Sequence, residues 1–110
     1  MEHTSSAPRI TLADIEANIV SEHYFTAADG AEKHCPDASD PESLKPLEPL
    51  KLLTFCVLVL RNSFTVVGQS ACASPENFDP ETGRRMAREN AIAEVWPLMG
   101  YELKTLLSKA

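Results

Sequence analysis

Leu52-Leu-Thr-Phe-Cys-Val-Leu-Val-Leu60, Arg61-Asn62-Ser63-Phe64 and Thr65-Val-Val-Gly-Gln-Ser-Ala71 make up the stretch on which the fold turns. Two runs rich in β-branched and aromatic residues flank a short polar break, which is the pattern of a β-hairpin. Asn62 tolerates the left-handed backbone that a primed two-residue turn demands, whereas Ser63 fits it less well than glycine would. Pairing Arg61 with Phe64 sets Leu58 opposite Val67 and Val59 opposite Val66. That register puts Leu53, Phe55, Val57, Val59, Val66 and Cys72 on one face and Leu58, Leu60 and Val67 on the other. The first strand is then apolar on both sides, as expected of a strand covered on both. Either the terminal helices or a second subunit must supply the cover. The reading therefore expects a homo-oligomer, a dimer or higher, with Leu58, Leu60 and Val67 in its interface.

Upstream of the hairpin, Ile10-Thr-Leu-Ala-Asp-Ile15 reads as a helix start. Thr11 can cap it, Asp14 falls at the third position near the positive helix end, and Ile10 can staple onto Ile15. Leu12, Ile15, Ile19 and His23 keep helical spacing, with Val20 and Tyr24 widening the stripe, so the helix is expected to run to Phe25–Ala28. Residues 1–9 read as a flexible tail. Residues 29–50 hold Pro36, Pro41, Pro46 and Pro49 without a sustained period and read as a long loop.

Downstream, Ser74-Pro75-Glu76 opens a short turn and Asp79-Pro80-Glu81 opens the main helix, with Asp as cap and Pro in the first turn. Arg88, Ile92, Val95, Trp96 and Met99 line one stripe of that helix. Gly83, Ala87 and Ala91 form a flat strip beside it, which lets a helix lie close to a sheet. Pro97 removes a helical hydrogen bond and Gly100 follows, so a kink or break is expected near Pro97. Trp96 and Tyr101 beside it are candidate anchors of a self-association surface. The expected fold is α+β: an N-terminal helix, an antiparallel hairpin, then a C-terminal helix kinked or broken near Pro97.

The 110 residues suit one domain spanning 10–110, and no apolar run approaches a membrane span. Residues 1–50 carry ten acids and three bases, residues 51–110 six acids and seven bases. A duplex-binding protein needs a surplus of cations to displace counterions from phosphates, and a chain of net charge −6 lacks it. Three cysteines without an export signal at Met1–Ser6 point to reduced thiols and a cytoplasm.

Signals for chemistry are sparse. Gly68-Gln-Ser70-Ala-Cys72 lacks the second glycine of a nucleophile elbow and reads as a strand end. Glu32, His34, Cys35 and Asp37 lack the spacing of metal ligands, so no metal and no cofactor are expected. Cys56 and Cys72 read as small core residues. Arg84, Arg85 and Arg88, in the first turns of the main helix, form the one basic cluster and the candidate site for a small anionic ligand. Ion pairs of Arg85 with Glu81 and Glu89 are the plain alternative.

From Leu53-Thr-Phe-Cys-Val-Leu-Val-Leu-Arg-Asn-Ser-Phe-Thr-Val through Ser70-Ala-Cys-Ala-Ser-Pro-Glu-Asn-Phe-Asp79, the chain resembles a family of small tailed-phage proteins. The likeness continues over Gly83-Arg-Arg-Met-Ala-Arg-Glu-Asn-Ala91 to Trp96-Pro-Leu-Met-Gly-Tyr101. The family is catalogued as the phage gene forty-nine / gene sixty-six proteins. Its members usually carry Asn-Gly at the hairpin tip, from which Ser63 departs. The resemblance implies a phage or prophage accessory protein without an established activity, so no catalytic or binding residue is carried over. The expectation is a non-catalytic protein of the host bacterial cytoplasm that binds and modulates or inhibits a host factor. The alternative is an oligomeric binder or sponge for a nucleotide or other anion.

Overall fold

The hairpin forms as β2 (Leu53–Leu60) and β3 (Thr65–Ala71). Its register differs by one residue from the expected one: Leu58 faces Val66 and Val57 faces Val67. The cause is the loop. Leu60 N donates to Phe64 O at 2.8 Å and Ser63 N to Leu60 O at 2.9 Å, so three residues, Arg61-Asn62-Ser63, form the tip. A two-residue primed turn wants glycine among its positive-φ positions, whereas a three-residue loop needs one left-handed residue at its end. Ser63 takes that place with φ 72°, and Asn62 instead accepts a bond from Phe64 N through Oδ1 at 2.9 Å.

A one-residue slip moves side chains to the opposite face. In the computed structural model, which describes residues 7–37 and 39–109, Cys56, Leu58 and Leu60 join Val66 in the core. Leu58 is fully buried and Leu60 is 4% exposed, while Val67 is 48% exposed on the other face. Leu58 and Leu60 are therefore core residues of a single chain, which corrects their expected place in an interface. The fold class is α+β: a short N-terminal helix, a three-stranded antiparallel sheet in the order β1 (Ile19–Thr26), β2, β3, and a long C-terminal helix. The expected tail falls largely on residues 1–6, outside the described residues.

The third strand lies where the helix was expected to continue. Helix α1 spans only Leu12–Ala17, opened by a reciprocal box in which Asp14 N donates to Thr11 Oγ1 and Thr11 N to Asp14 Oδ2. Ile19–Thr26 is β1, paired with β2 so that Glu22 faces Leu58, Tyr24 faces Cys56 and Phe25 faces Phe55. The helix stops because the hairpin tip takes its open carbonyls. Arg61 Nε donates to Ala17 O at 2.8 Å, and Arg61 N donates to Asn18 O at 3.0 Å and to Asn18 Oδ1 at 3.2 Å.

Residues 27–52 are mostly helical rather than one long loop. Thr26 and Asp29 form a second capping box that opens α2 (Ala27–Lys33), with Gly30 inside it. Asp40 caps α3 (Pro41–Leu44), which runs into a 3-10 stretch, Lys45–Leu52. These pieces pack on one another at the end of the sheet where β1 leads out and β2 begins.

Helix α4 (Pro80–Ser108) crosses one face of the sheet, with Ala87, Ala91 and Val95 fully buried against Cys56, Leu58 and Val66. The strip of small residues is what brings it close. Of the kink or break expected near Pro97, a break does not occur: the helix runs on through that residue. Pro97 has no N–H to donate to the carbonyl of Ala93, and both residues lie on the exposed side, where solvent can reach that carbonyl. Twenty-nine helical residues span about 43 Å, whereas eight-residue strands span about 27 Å. The carboxyl end of α4 accordingly projects, and the molecule measures 61 × 31 × 18 Å.

Candidate functional site

The three arginines lie on α4 but do not converge. Arg88 turns across the sheet face to two carboxylates from other elements. Its Nη2 lies 2.7 Å from Glu16 Oε1 and 2.9 Å from Glu22 Oε2, its Nη1 bonds Glu16 Oε2 at 3.2 Å, and its Nε bonds Glu22 Oε1 at 3.1 Å. Both forks of the guanidinium are thus filled. These bonds hold the carboxyls of Glu16 and Glu22 below their ordinary range, against the opposing effect of partial burial. Tyr24 adds a third donor to Glu22, O–H to Oε1 at 2.7 Å. Burial, followed by that acceptor, pushes the phenol up, and burial pushes the Cys56 thiol up beside it. Arg88 is a tie between α1, β1 and α4. Arg85 pairs with Glu89 at 3.5 Å on an exposed face, the plain alternative for that residue.

Arg84 makes no ion pair among the described residues. It borders a hollow of about 210 Å³ with Tyr24, Phe25, Asp29, Thr54 and Phe78. On the other side of Phe78 lies a second hollow of about 350 Å³, lined by Ser70, Cys72, Asp79, Thr82 and Met86 among others. Three of its polar side chains are committed to the fold. Ser70 Oγ donates to Gly83 O at 2.8 Å, Cys72 Sγ to Ser74 O at 3.2 Å, and Thr82 Oγ1 to Asp79 Oδ2 at 2.7 Å. That last bond holds the Asp79 carboxyl below its usual range. Ser70 ends the sheet as the sequence suggested, and its hydroxyl faces a backbone carbonyl rather than a histidine. The described histidines lie elsewhere: His23 is 3.0 Å from Ser21 Oγ on the far face of the sheet, and His34 caps α2. Among the described residues no group of three or more His, Cys, Asp or Glu stands close enough to hold a metal ion.

The far face of the sheet is the more distinctive feature. Residues directly opposite one another share a face, which gives three rungs: Ser21-Val59-Thr65, His23-Val57-Val67 and Phe25-Phe55-Gln69. The middle strand is apolar in every rung, Phe25 and Val67 stand exposed beside it, and polar residues form the rim. The Phe25 and Phe55 rings are 5.6 Å apart at a tilt of 41°. Of the expected interface residues, Val67 belongs to this face, while Trp96 and Tyr101 are exposed on α4. Phe25 reaches this face through the alternation Ser21, His23, Phe25 along β1, a strand pattern that the helical spacing of Ile15, Ile19 and His23 masks in the sequence.

The family model of the phage protein (N4 Gp49/phage Sf6 gene 66) family matches residues 10–107, from the residue before the first cap almost to the end of α4. The chain belongs to this family. No curated protein and no solved structure matches it. Among the described residues of this phage protein, no helix is long and apolar enough to cross a membrane.

Proposed function

We propose that this protein is a non-catalytic accessory protein that binds a host protein in the bacterial cytoplasm and modulates or inhibits it. The observation that carries the reading is the apolar sheet face of Phe25, Phe55, Val57, Val59 and Val67, rimmed by polar residues. Exposed apolar patches of this kind mark interaction surfaces more often than they mark chemistry. Membership of a phage protein family supports the reading, and the commitment of Ser70, Cys72 and Arg88 to internal bonds gives catalysis little to work with. The test is quantitative affinity capture from host lysate with the parent protein and with the double variant Phe25→Glu, Val67→Glu. A protein retained by the parent and lost by the folded variant is the expected result. Retention by both, or by neither, rejects the sheet face as the binding surface.

A second reading has one specific observation in its favour, Arg84, which makes no ion pair among the described residues, beside a hollow walled by Phe25 and Phe78. A small anion with an aromatic body, such as a nucleotide, suits a guanidinium next to two rings. Thermal shift with a nucleotide panel tests it, since a ligand of the folded state raises the melting temperature. A shift that survives Arg84→Ala would reject the site.

A further inference from the structure

Ile92, Trp96, Met99, Leu103 and Leu106 follow one another along α4 at intervals of four, three, four and three residues. That is the heptad seam through which two helices pack knobs into holes. The seam is turned roughly 100° about the helix axis from the Ala87, Ala91 and Val95 line that meets the sheet. Ile92 and Met99 lean on the body of their own chain, but Trp96 is 40% exposed, Leu106 60% and Leu107 46%. The helix outruns the strands, so the rest of the chain gives its carboxyl end little cover. The same segment contains Pro97 and Gly100, the two residues least suited to a helix interior. An uncovered helical end carrying both needs packing from outside to stay helical in water.

We infer that the carboxyl half of α4 is a dimerisation seam whose occupant is the same helix of a second copy. The matching period is one reason, since only another helix of like spacing fits a four-three seam along its length. Charge is the other. Residues 92–109 carry Glu94 and Glu102 against Lys104 and Lys109 and are neutral, while the chain as a whole is at −6. Two copies can therefore meet along this stretch without bringing their acidic amino-terminal halves together, since residues 1–50 carry ten acids against three bases. Alongside the seam, Ala93 and Gly100 keep its shoulder flat, and a Cβ added at Gly100 would meet nothing within its own chain. The seam is separate from the sheet face, so a dimer would carry two such faces.

Sedimentation and light scattering of the full chain test this. The parent is expected at about twice its 12.1 kDa chain mass. Leu103→Glu, Leu106→Glu is expected at one chain mass with the body's melting transition retained, and Leu106→Glu alone to weaken association in the same direction. Tyr101→Glu, off the seam, and Val67→Glu, on the sheet face, are expected to stay dimeric. A parent that is monomeric at every concentration overturns the inference. So does an oligomer that Val67→Glu dissociates and the leucine variants leave intact.

Discussion

At Gly68 a Cβ would stand 2.2 Å from the carbonyl oxygen of Ala87 and 2.1 Å from the amide nitrogen of Ala91, both main-chain atoms that cannot swing aside. The missing side chain on β3 and the two alanines on α4 set the spacing of sheet and helix together. Gly68→Ala is expected to lower unfolding free energy by about 2–3 kcal/mol in urea titration, as overpacking does. An unchanged midpoint would mean that the helix can lift without loss. Arg88 acts by charge rather than by shape. Glu16 and Glu22 titrate below their ordinary value of 4.5 in the folded state because of it. A depressed carboxyl stabilises the fold fully above its unfolded value, and that contribution is lost as pH falls through the folded one. Arg88→Met is therefore expected to cost about 1–2 kcal/mol at neutral pH, moderated by the partial exposure of the pair. The variant should also show a shallower fall in stability from pH 5 to lower pH than the parent. An equal acid slope in the two proteins would show that the pair contributes nothing to the linkage.

The elements differ in how plainly the sequence displays them. The start of α4 is written out in Asp79-Pro80, and its buried strip in Ala87 and Ala91, because caps and small-residue spacing are local signals. The hairpin is equally visible as two strands, but its register depends on whether Asn62 or Ser63 adopts positive φ, a choice that moves Val66 from one face to the other. Ile19–Thr26 satisfies both periods: Ile15, Ile19 and His23 suit a helix, while Ser21, His23 and Phe25 suit a strand. What decides it is Arg61, more than forty residues away, closing α1 at Ala17 and Asn18. Thr26 with Asp29 and Asp40 with Pro41 carried the cap signals of two short helices that the prolines around them obscured. Arg88 parts from Arg84 and Arg85 for the same reason as the helix ends: the acids that fill it, Glu16 and Glu22, lie far off in sequence. Ser63→Gly removes the cost of a side chain in the left-handed region and is expected to raise stability by about 1 kcal/mol. A measured loss of stability would contradict the three-residue loop. Thr26→Ala, which opens the second capping box, is expected to cost about 1 kcal/mol by thermal melting.

Across the whole molecule, the radius of gyration of 18.7 Å exceeds the roughly 13 Å of a spherical chain of this length, because α4 runs past the sheet. Two apolar surfaces remain, one broad on the sheet and one narrow on the projecting helix, and they face different directions. Phe25 and Val67 contribute little to the core, so Phe25→Glu, Val67→Glu should change stability by no more than about 1 kcal/mol while removing the sheet face. A collapse of the melting transition in that variant would mean that the sheet needs the face for its own folding. Arg61 has a further consequence for synthesis. The segment Thr11–Thr26 leaves the ribosome before the hairpin, so the donor to its carbonyls, its strand partner and the cavity for Ile15 all arrive later in translation. Its native lodging thus awaits the hairpin, and in the interval the nascent amino-terminal stretch is open to chaperones and proteases.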